Sequence, residues 1–370
     1  MEYSETRINE YIQGVKGPNK EAEDAARDLQ AKLAKPPGSL GRLEDLSIAL
    51  AGMTGKVKNE LKKRELLVFC SDNGVVAQGV ASSPQSVTFA QTINLTKGKT
   101  GAAVLAKRFG CGVTVCDVGV NAFIKDPDVI DKKIAYGTRD ISQGPAMSKE
   151  QAVKAILIGA DLAVDAVKAG ADVLGIGEMG IGNTTTSSAV LSVLTGRSVK
   201  ELTGRGAGIT DEAYKKKIAV VERAVRMNAP DPKDVIDIIS KVGGFDIAAM
   251  AGAFIGAAFM RTPVVIDGFI SVVAAVCAGR LCPDSKYYMV PSHASYEVGY
   301  RTAIEDLGLR PLFDLGMRLG EGSGCPIAMM MLDAACAVIN DMATFEEAKI
   351  DDSYLDEIRK IEAFEVEERH

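Results

Sequence analysis

Five short apolar runs along the chain predict buried β-strands. Each run is continuous and does not alternate with polar residues, which is the pattern of strands covered on both faces of a parallel sheet. The runs are 66–70, 112–116, 171–176, 263–267 and 286–290. Stretches with helical periodicity lie between them, and one begins with a capping box at Ser148 and Gln151 and continues to about Lys168. We therefore predict an α/β fold with right-handed crossovers.

The two ends of the chain have a different pattern, because helical periodicity dominates residues 5–52 and the segment after Pro326. We predict an open, mostly parallel, Rossmann-like sheet flanked by helices, with a smaller helical domain formed by the N-terminal and C-terminal segments. The predicted divisions are 1–60 for the helical segment of the small domain, 61–325 for the large α/β domain that carries the candidate site, and 326–370 for C-terminal helices that pack with the small domain.

The composition favours a small-molecule partner. Of 370 residues, 47% are hydrophobic and 25% charged, and the net charge of −6 with no basic stripe argues against nucleic-acid binding. Residues 1–15 lack the apolar core of a secretion signal, and the longest apolar run, 247–260, is too short to span a bilayer. This run is rich in glycine and alanine, as a tightly packed buried helix would be. We expect a cytoplasmic protein without a membrane segment.

The cysteines and histidines do not predict a metal site. The seven cysteines form no C-x-x-C pair, and only His293 and His370 could add histidine ligands. Acidic pairs that would hold magnesium at a strand end are also missing, so we predict neither a metal nor a cofactor. Buried, reduced thiols are the expectation. Cys325 near Glu321 is an alternative nucleophile, although no histidine adjoins it in sequence to activate it.

Ligands of open α/β sheets bind at the carboxyl ends of the strands, and four loops rich in glycine or polar residues follow predicted strands. They are 71–88, 177–185, 204–210 and 318–326. In the last loop, Glu321 stands between glycines just before an apolar helix that starts at Pro326. The N–H groups of a helix N-terminus favour an anion, and the carboxylate can accept a proton. The alternative for this loop alone is a solvated glutamate beside an ordinary helix cap.

The loop at 177–185 contains part of a dinucleotide fingerprint, G-x-G-x-x-G at 175–180, with Glu201 about twenty residues later. Glu178 would place a carboxylate against the pyrophosphate, however, and Glu201 does not follow a second apolar strand. A cradle for part of a mononucleotide, with Asn183 and the threonines as donors, fits the residues better. The loop at 204–210 opens a helix that carries Lys217, which suits a single phosphate. The alternative for Lys217 is a solvated basic helix face.

Five motifs in order along nearly the whole chain resemble a known family. They are KPPGSLG at 35–41, PQSVT at 84–88, GEMGIGNTT at 177–185, GRG at 204–206 and MRLGEGSG at 317–324. The chain resembles the nicotinate-nucleotide:5,6-dimethylbenzimidazole phosphoribosyltransferases of cobamide lower-ligand assembly. The resemblance implies transfer of a 5-phosphoribosyl group from nicotinate mononucleotide to an aromatic base, with inversion to give an α-ribotide. It also implies a dimer whose sites are completed by the partner subunit.

The resemblance also implies roles for individual residues. Glu321 matches the family's general base, which removes a proton from the incoming base. The predicted nucleotide-binding residues are Glu178, Gly180, Asn183, Gly204, Gly206, Lys217, Ser295, Gly320 and Gly322. The predicted residues of the acceptor pocket are Ser82, Gln85, Asn73, Met179 and Leu319.

One departure from the family leaves the acceptor open. Family members commonly have Gly-Asp-His-Gly where this chain has the segment 71–74, with Asn73 in the place of the histidine. Unlike histidine, asparagine does not titrate near neutral pH. The acceptor is therefore a benzimidazole, a phenol or a purine, and the protein is a homodimer or a homologous heterodimer. An alternative of another class is a non-catalytic partner subunit in such an unlike pair.

Overall fold

The computed structural model describes residues 3–355 and confirms the α/β prediction. The strands are β1 (Arg64–Ser71), β2 (Cys111–Gly119), β3 (Val129–Asp131), β4 (Val173–Met179), β5 (Val264–Ile266) and β6 (Met289–Pro291). The helices are α1 (Glu5–Gly14), α2 (Lys20–Lys32), α3 (Arg42–Thr54), α4 (Ser86–Thr96), α5 (Gly101–Arg108), α6 (Lys149–Lys168), α7 (Asn183–Thr195), α8 (Val199–Leu202), α9 (Asp211–Asn228), α10 (Val235–Val242), α11 (Phe245–Phe259), α12 (Phe269–Leu281), α13 (Gly299–Leu307), α14 (Cys325–Asp341) and α15 (Phe345–Ala348).

The sheet has the strand order β3-β2-β1-β4-β5-β6, and every neighbouring pair is parallel. The order reverses between β1 and β4, and ligands of such sheets bind at the carboxyl ends of the strands beside this reversal. The sequence analysis missed β3, which has only three residues. It also began the last strand too early, because Pro283–Tyr288 form a 3-10 turn before β6. Pro283 suits the first position of such a turn, because its fixed φ fits the turn and its missing N–H is not needed there.

Two helices pack against each other behind the sheet at unusually short range. A Cβ atom on Gly159 of α6 or on Gly252 of α11 would clash with the backbone of the other helix. Every residue of α11 from Phe245 to Ala258 is buried, which confirms the tightly packed helix predicted from the apolar run. No helix among residues 3–355 is long and apolar enough to cross a membrane.

The contacts divide the described chain into two compact units, 3–16 with 63–328 and 17–62 with 329–355. The predicted divisions placed all of residues 1–60 in the small domain, whereas α1 lies in the larger unit. The reason is its contact with α6 and α11. Arg7 pairs with Asp161, Tyr11 donates a hydrogen bond to the same carboxylate at 2.7 Å, and the Tyr11 ring packs edge-on against Phe259 at 5.1 Å.

The smaller unit is a helical cluster with its own apolar centre. Ala22 and Ala26 of α2, Ala51 of α3 and Ile339 of α14 form that centre. The KPPGSLG segment at 35–41 connects α2 to α3. Its first residue is buried, and its ammonium pairs with the Glu44 carboxylate at 2.8 Å, which fixes the start of the segment against α3.

Candidate active site

A cleft opens at the carboxyl ends of the central strands in the larger unit. Its walls are formed by residues 178–184 after β4, 267–271 after β5, several residues after β6, and 318–321 before α14, with 80–83 and 205–207 at its edges. The predicted residues that line it are Ser82, Glu178, Met179, Gly180, Asn183, Gly206, Lys217, Ser295, Leu319, Gly320 and Glu321. Loops far apart in the sequence therefore meet at one place, as the strand order requires.

Glu321 is held in a left-handed backbone conformation inside this cleft. Its φ is 62°, between 86° at Gly320 and 83° at Gly322. Such a conformation is disfavoured for residues with a Cβ and is typical of functional sites. The loop also approaches β4 closely, because a Cβ on Gly177 would lie 2.6 Å from the Gly322 nitrogen. Glu321 is only 5% exposed, so the alternative of a solvated loop glutamate is wrong.

The N-terminus of α14 is occupied by a carboxylate of the protein. Asp267, which follows β5, accepts hydrogen bonds from the Gly324 N–H at 2.7 Å and from the Gly322 N–H at 3.1 Å. We expected this helix end to favour a ligand anion. That expectation is wrong, because Asp267 already satisfies these N–H groups. Burial raises the pKa of Asp267, while the two N–H groups and nearby His293 oppose the shift. The bonds between Asp267 and the loop fix the backbone on both sides of Ser323.

The Glu321 carboxylate points instead to the start of α5. Its Oε2 accepts a hydrogen bond from the Ala102 N–H at 3.2 Å, and its Oε1 accepts one from Gln91 Nε2 at 3.5 Å. The N-terminus of α5 carries partial positive charge, which favours a carboxylate there. Gln91 and Ala102 could not be found from the sequence, because they precede Glu321 by 230 and 219 residues and lie in helices with no distinctive motif.

Glu178 lies beside Glu321 and shares an amide with a third carboxylate. Asn183 Nδ2 donates a short hydrogen bond to Glu178 Oε2 and a second, of 3.1 Å, to Asp246 Oδ2. The Glu321 N–H donates to Glu178 Oε1 at 3.4 Å. Burial and, after it, the charge of Asp246 raise the pKa of Glu178 to about 8. Burial also raises the pKa of Asp246, to about 6. At neutral pH Glu178 is therefore mostly protonated.

The other end of the cleft contains a buried cation. Lys217 of α9 is 1% exposed, and its Nζ donates a hydrogen bond to Thr184 Oγ1 at 2.8 Å, in the first turn of α7. Burial lowers the pKa of Lys217 to about 8. Its neighbours Lys215 and Lys216 are exposed, so the solvated basic face is correct for them and wrong for Lys217. The N-cap of α7 is Gly182, which has no side chain to cap the helix. A lysine beside an uncapped helix N-terminus is a suitable site for a phosphate.

The Glu297 carboxylate and the Arg318 guanidinium lie near Lys217. Glu297 lines the cleft beyond Gly206, and burial raises its pKa, while the charges of Lys217 and Arg318 oppose the shift. Arg318 donates a hydrogen bond to the Ala207 carbonyl at 3.1 Å. The cleft is thus rich in carboxylates around Glu321 and has mixed charges around Lys217.

Four predicted site residues do not line the cleft. Asn73 is fully buried behind it, and its Oδ1 accepts a hydrogen bond from Thr186 at 3.5 Å. Gln85 uses its amide to donate to the Asn73 carbonyl at 3.1 Å, so it supports the loop after β1. Gly204 lies against the Glu297 carboxylate, where a Cβ would clash. Gly322 is turned toward β4 and Asp267. Asn73, Gly204 and Gly322 are buried behind the walls of the cleft, whereas Gln85 is half-buried.

Sequence reasoning also missed residues that do line the cleft. The most notable are Asp267, His293 and Glu297. His293 is 1% exposed, and its Nδ1 lies 3.0 Å from Ser292 Oγ and 3.8 Å from Asp267 Oδ1. A signal was available for Asp267, since it directly follows an apolar strand run. The segment after β6 offered only scattered polar residues, with no glycine-rich motif to draw attention to it.

Two alternatives based on other chemistry, a Cys325 nucleophile and a dinucleotide site with Glu201, are not supported. Cys325 is fully buried, its thiol donates to the Val265 carbonyl at 3.6 Å, and burial raises its pKa well above the usual value. It therefore lacks the thiolate character of a nucleophile. Glu201 forms a capping box with Ser198 at the start of the short helix α8. It therefore does not follow a strand, as the ribose-binding acidic residue of a dinucleotide site would. Within residues 3–355, no group of three His, Cys, Asp or Glu side chains could hold a metal ion.

Comparison with known proteins identifies a family to which this chain is similar. A sequence model described as phosphoribosyltransferase matches residues 15–350. A nicotinate-nucleotide–dimethylbenzimidazole phosphoribosyltransferase from Clostridium perfringens is 50% identical over 357 residues, covering 96% of this chain and 99% of the relative. Its counterpart from Clostridium tetani is 43% identical over 354 residues, covering 95% and 98%. A solved structure of the Thermus thermophilus enzyme superposes with a TM-score of 0.86 at 36% identity, covering 90% of this chain and 99% of that one.

Proposed function

This chain belongs to the phosphoribosyltransferase family, and on that premise we propose that it transfers the 5-phosphoribosyl group of nicotinate mononucleotide to 5,6-dimethylbenzimidazole. Nicotinate and the α-ribotide of the base are the products, and the ribotide supplies the lower ligand of a cobamide. One observation carries the proposal beyond the names of the relatives. A single cleft at the carboxyl ends of the strands holds a buried lysine beside a helix N-terminus that no side chain caps, and also a buried glutamate in a loop with left-handed backbone.

The reaction needs positioning and one proton acceptor. A ring nitrogen of the benzimidazole forms a bond to the anomeric carbon as the bond to the pyridinium nitrogen breaks, and the electron pair of the broken bond leaves with nicotinate. Because the leaving group is cationic before the step and neutral at its ring nitrogen afterwards, it departs readily. The N–H proton of the attacking benzimidazole must be accepted by the enzyme. Orientation in the cleft supplies the remaining rate enhancement.

We assign the proton acceptor to Glu321. Its carboxylate lines the cleft, and the Ala102 N–H and the Gln91 amide orient it. Glu178 is less suited to this role at neutral pH, because its pKa of about 8 leaves it mostly protonated. A protonated Glu178 can instead donate a hydrogen bond to the nicotinate or ribose, which agrees with its predicted place in the nucleotide site. Two neighbouring carboxyl groups in different surroundings can thus take different roles.

We assign the phosphate to the other end of the cleft. Lys217, the hydroxyl of Thr184 and the N-terminus of α7 converge there, and a phosphate can accept hydrogen bonds from all three. Gly180 and Gly206 keep the neighbouring backbone free of side chains, and Ser295 adds a hydroxyl at the wall. These residues support binding of a ribose 5-phosphate without a metal ion bridging it.

The position of Asn73 bears on the choice of acceptor. The residue that differs from the common family pattern is fully buried and does not line the cleft, so it cannot contact the acceptor directly in this conformation. The departure from the family pattern therefore gives no reason to prefer a phenol or a purine over benzimidazole, the acceptor in the relatives' names. We also propose that the active form is a dimer. Among the large exposed apolar side chains, Leu319 lines the cleft, and Tyr296 and Leu315 lie in the chain segments that carry the lining residues Ser295 and Arg318. Exposed apolar side chains at this place support a covering surface there.

The test is a direct assay of the purified chain with nicotinate mononucleotide and equimolar dimethylbenzimidazole, adenine or phenol. We expect nicotinate release with dimethylbenzimidazole, one α-ribotide by mass spectrometry, and activity that sediments with a dimer. Preferred use of phenol or adenine would replace the acceptor and leave the reaction class intact. No release with any acceptor, restored by a homologous second chain, would favour the heterodimer.

A further inference from the structure

A carboxylate close to a phosphate site requires an explanation. Glu297 lines the same cleft as Lys217, at the end where we place the phosphate. A bound phosphate dianion would be repelled by a second negative charge nearby, and the fold could avoid this with a neutral residue. The carboxylate is nonetheless half-buried, and its Oε2 has no hydrogen-bond partner among the residues that the structure describes.

The arrangement of Lys217 gives that explanation. In the part of the chain that is described, its Nζ makes one hydrogen bond, to Thr184 Oγ1, although an ammonium has three donors. A buried lysine with so few partners tends to lose its proton, and a neutral lysine does not attract phosphate. Glu297 and Lys217 lie against the same short loop, because a Cβ on Gly204 would clash with Glu297 Oε2 and a Cβ on Gly206 would lie 3.8 Å from Lys217 Nζ. From this position the charge of Glu297 opposes the loss of the proton.

The other charged and titratable groups around Lys217 do not replace Glu297. Arg318 comes from the loop before α14 and adds positive charge, as does Arg205, which pairs with Asp211 and stacks over Tyr214. Lys215 and Lys216, on the same helix, are exposed and also positive. The Tyr214 hydroxyl donates to the Thr203 carbonyl at 3.1 Å. Among these groups, Glu297 is the one whose negative charge acts on Lys217.

We propose that Glu297 is a positioning residue that acts through Lys217, as the counter-charge of the lysine in the free enzyme, and that the nucleotide's phosphate takes over this role on binding. The inference rests on the proposed function and deepens it, because it describes how the phosphate site stays charged between turnovers. The carboxylate and the phosphate are then successive partners of one cation. Gly204 is needed for this arrangement, because a Cβ there would clash with Glu297 Oε2 and displace the carboxylate.

The proposal predicts a pH signature for Glu297→Gln, which removes the charge and keeps the size. In the wild type, the KM for nicotinate mononucleotide should rise above about pH 8, where the free enzyme's Lys217 loses its proton. Without the counter-charge, the rise should begin about one pH unit lower, the usual effect of a nearby charge. The ratio of the two KM values should therefore grow by about fourfold between pH 7 and pH 8.5. Over this range the phosphate remains a dianion, so its own titration does not interfere.

Three further variants make the test decisive. Glu305→Gln removes an exposed carboxylate from α13 that pairs with Arg301, and it should leave the pH profile of KM unchanged. Glu297→Asp should restore most of the wild-type profile. In a Lys217→Met background, adding Glu297→Gln should no longer shift the profile, because the residue through which Glu297 acts is gone.

A constant KM ratio across the pH range would overturn the proposal and would show that Glu297 only supports the Gly204–Gly206 loop. The same conclusion would follow if the profile of Glu297→Gln persisted in the Lys217→Met background. Calorimetric binding of nicotinate mononucleotide over the same pH range provides a second readout that needs no turnover. If the wild type binds the nucleotide with the expected pH dependence and releases no nicotinate, the proposed function fails while the inference stands.

Discussion

The N-termini of α7 and α14 both lie at the cleft, and they differ in what occupies them. At α14, Asp267 accepts hydrogen bonds from the N–H groups of Gly322 and Gly324, so the protein itself supplies the anion. At α7, the N-cap is a glycine, and the buried ammonium of Lys217 donates a hydrogen bond to Thr184 in the first turn. Both helices follow glycine-rich loops and look alike in sequence. The comparison shows that the surrounding side chains, and not the loop composition, decide which helix end is open to a ligand.

The same contrast separates the tasks of the two ends. The end near α14 carries Glu321 and Glu178, so that a proton can be accepted and a neutral carboxyl group can donate a hydrogen bond. We propose that the end near α7 holds the phosphate, beside the positive charge of Lys217 and the hydroxyl of Thr184. Changes at the first end should therefore act mainly on kcat, and changes at the second end should act mainly on the KM for the nucleotide.

The largest effect is expected for Glu321→Gln. Glutamine keeps the size, and its amide oxygen can still accept from the Ala102 N–H, but its amide nitrogen cannot accept from Gln91 as the second carboxylate oxygen does. Because the basicity is removed, kcat should fall by about 10²–10⁴ with little change in the KM for the nucleotide. The loss should be greatest for the acceptor that is hardest to deprotonate. Steady-state kinetics with several acceptors measure both effects. A near wild-type kcat at saturating acceptor would move the base elsewhere, and Glu178 would then have to act above its pKa of about 8.

The next effect is expected for Lys217→Ala at the opposite end. A charge-assisted hydrogen bond to phosphate contributes ~1.5–3 kcal/mol, so the KM for nicotinate mononucleotide should rise roughly ten- to a hundredfold, with a smaller effect on the acceptor. Lys216→Ala is the matched control, because this exposed neighbour should leave both constants unchanged. Equal losses for the two lysines would mean that the phosphate binds outside the end of the cleft that we assign to it.

The role of Asp267 at the N-terminus of α14 can be tested with Asp267→Asn. The amide oxygen can accept only one of the two N–H groups in the same way, and the amide nitrogen repels the other, so the fold should lose about 1–2 kcal/mol. Urea unfolding measures this loss. Because the Glu321 backbone lies beside Gly322, kcat should also fall. Asp172→Asn is a control at a more exposed carboxylate that accepts from the Lys63 N–H at 2.8 Å. A variant as stable as the control would show that Asp267 does not fix the loop.

These contacts also explain how much of the fold and of the site could be predicted from the sequence. The apolar runs identified the sheet, because a buried parallel strand has a continuous signal, and glycine-rich loops identified Glu178, Lys217 and Glu321. The sequence could not reveal that Asp267 fills the N-terminus of α14, since this requires knowing that β5 ends beside that loop. Nor could it separate buried Lys217 from exposed Lys216, because the burial of α9 depends on its contact with α7. Local composition marks candidate loops, and the strand order decides which of their atoms meet.

The smallest effect on nucleotide binding is expected for Thr184→Val. This variant tests whether the N-terminus of α7 is a phosphate site. The hydroxyl accepts the single hydrogen bond of Lys217 at 2.8 Å, and a neutral hydrogen bond contributes ~0.5–1.5 kcal/mol, so the KM for the nucleotide should rise roughly two- to tenfold. Because the hydroxyl is remote from the proton transfer, kcat should stay within about twofold.

The matched control is Thr185→Val at the next position. The Thr185 hydroxyl is buried and has no hydrogen-bond partner in the described part of the chain, so a methyl group in its place should leave the KM unchanged. An equal rise in KM for both variants would attribute the effect to packing of α7. A rise for Thr184→Val alone would mean that the hydroxyl orients the lysine toward the phosphate, which is the feature that distinguishes this helix end from the one that Asp267 closes.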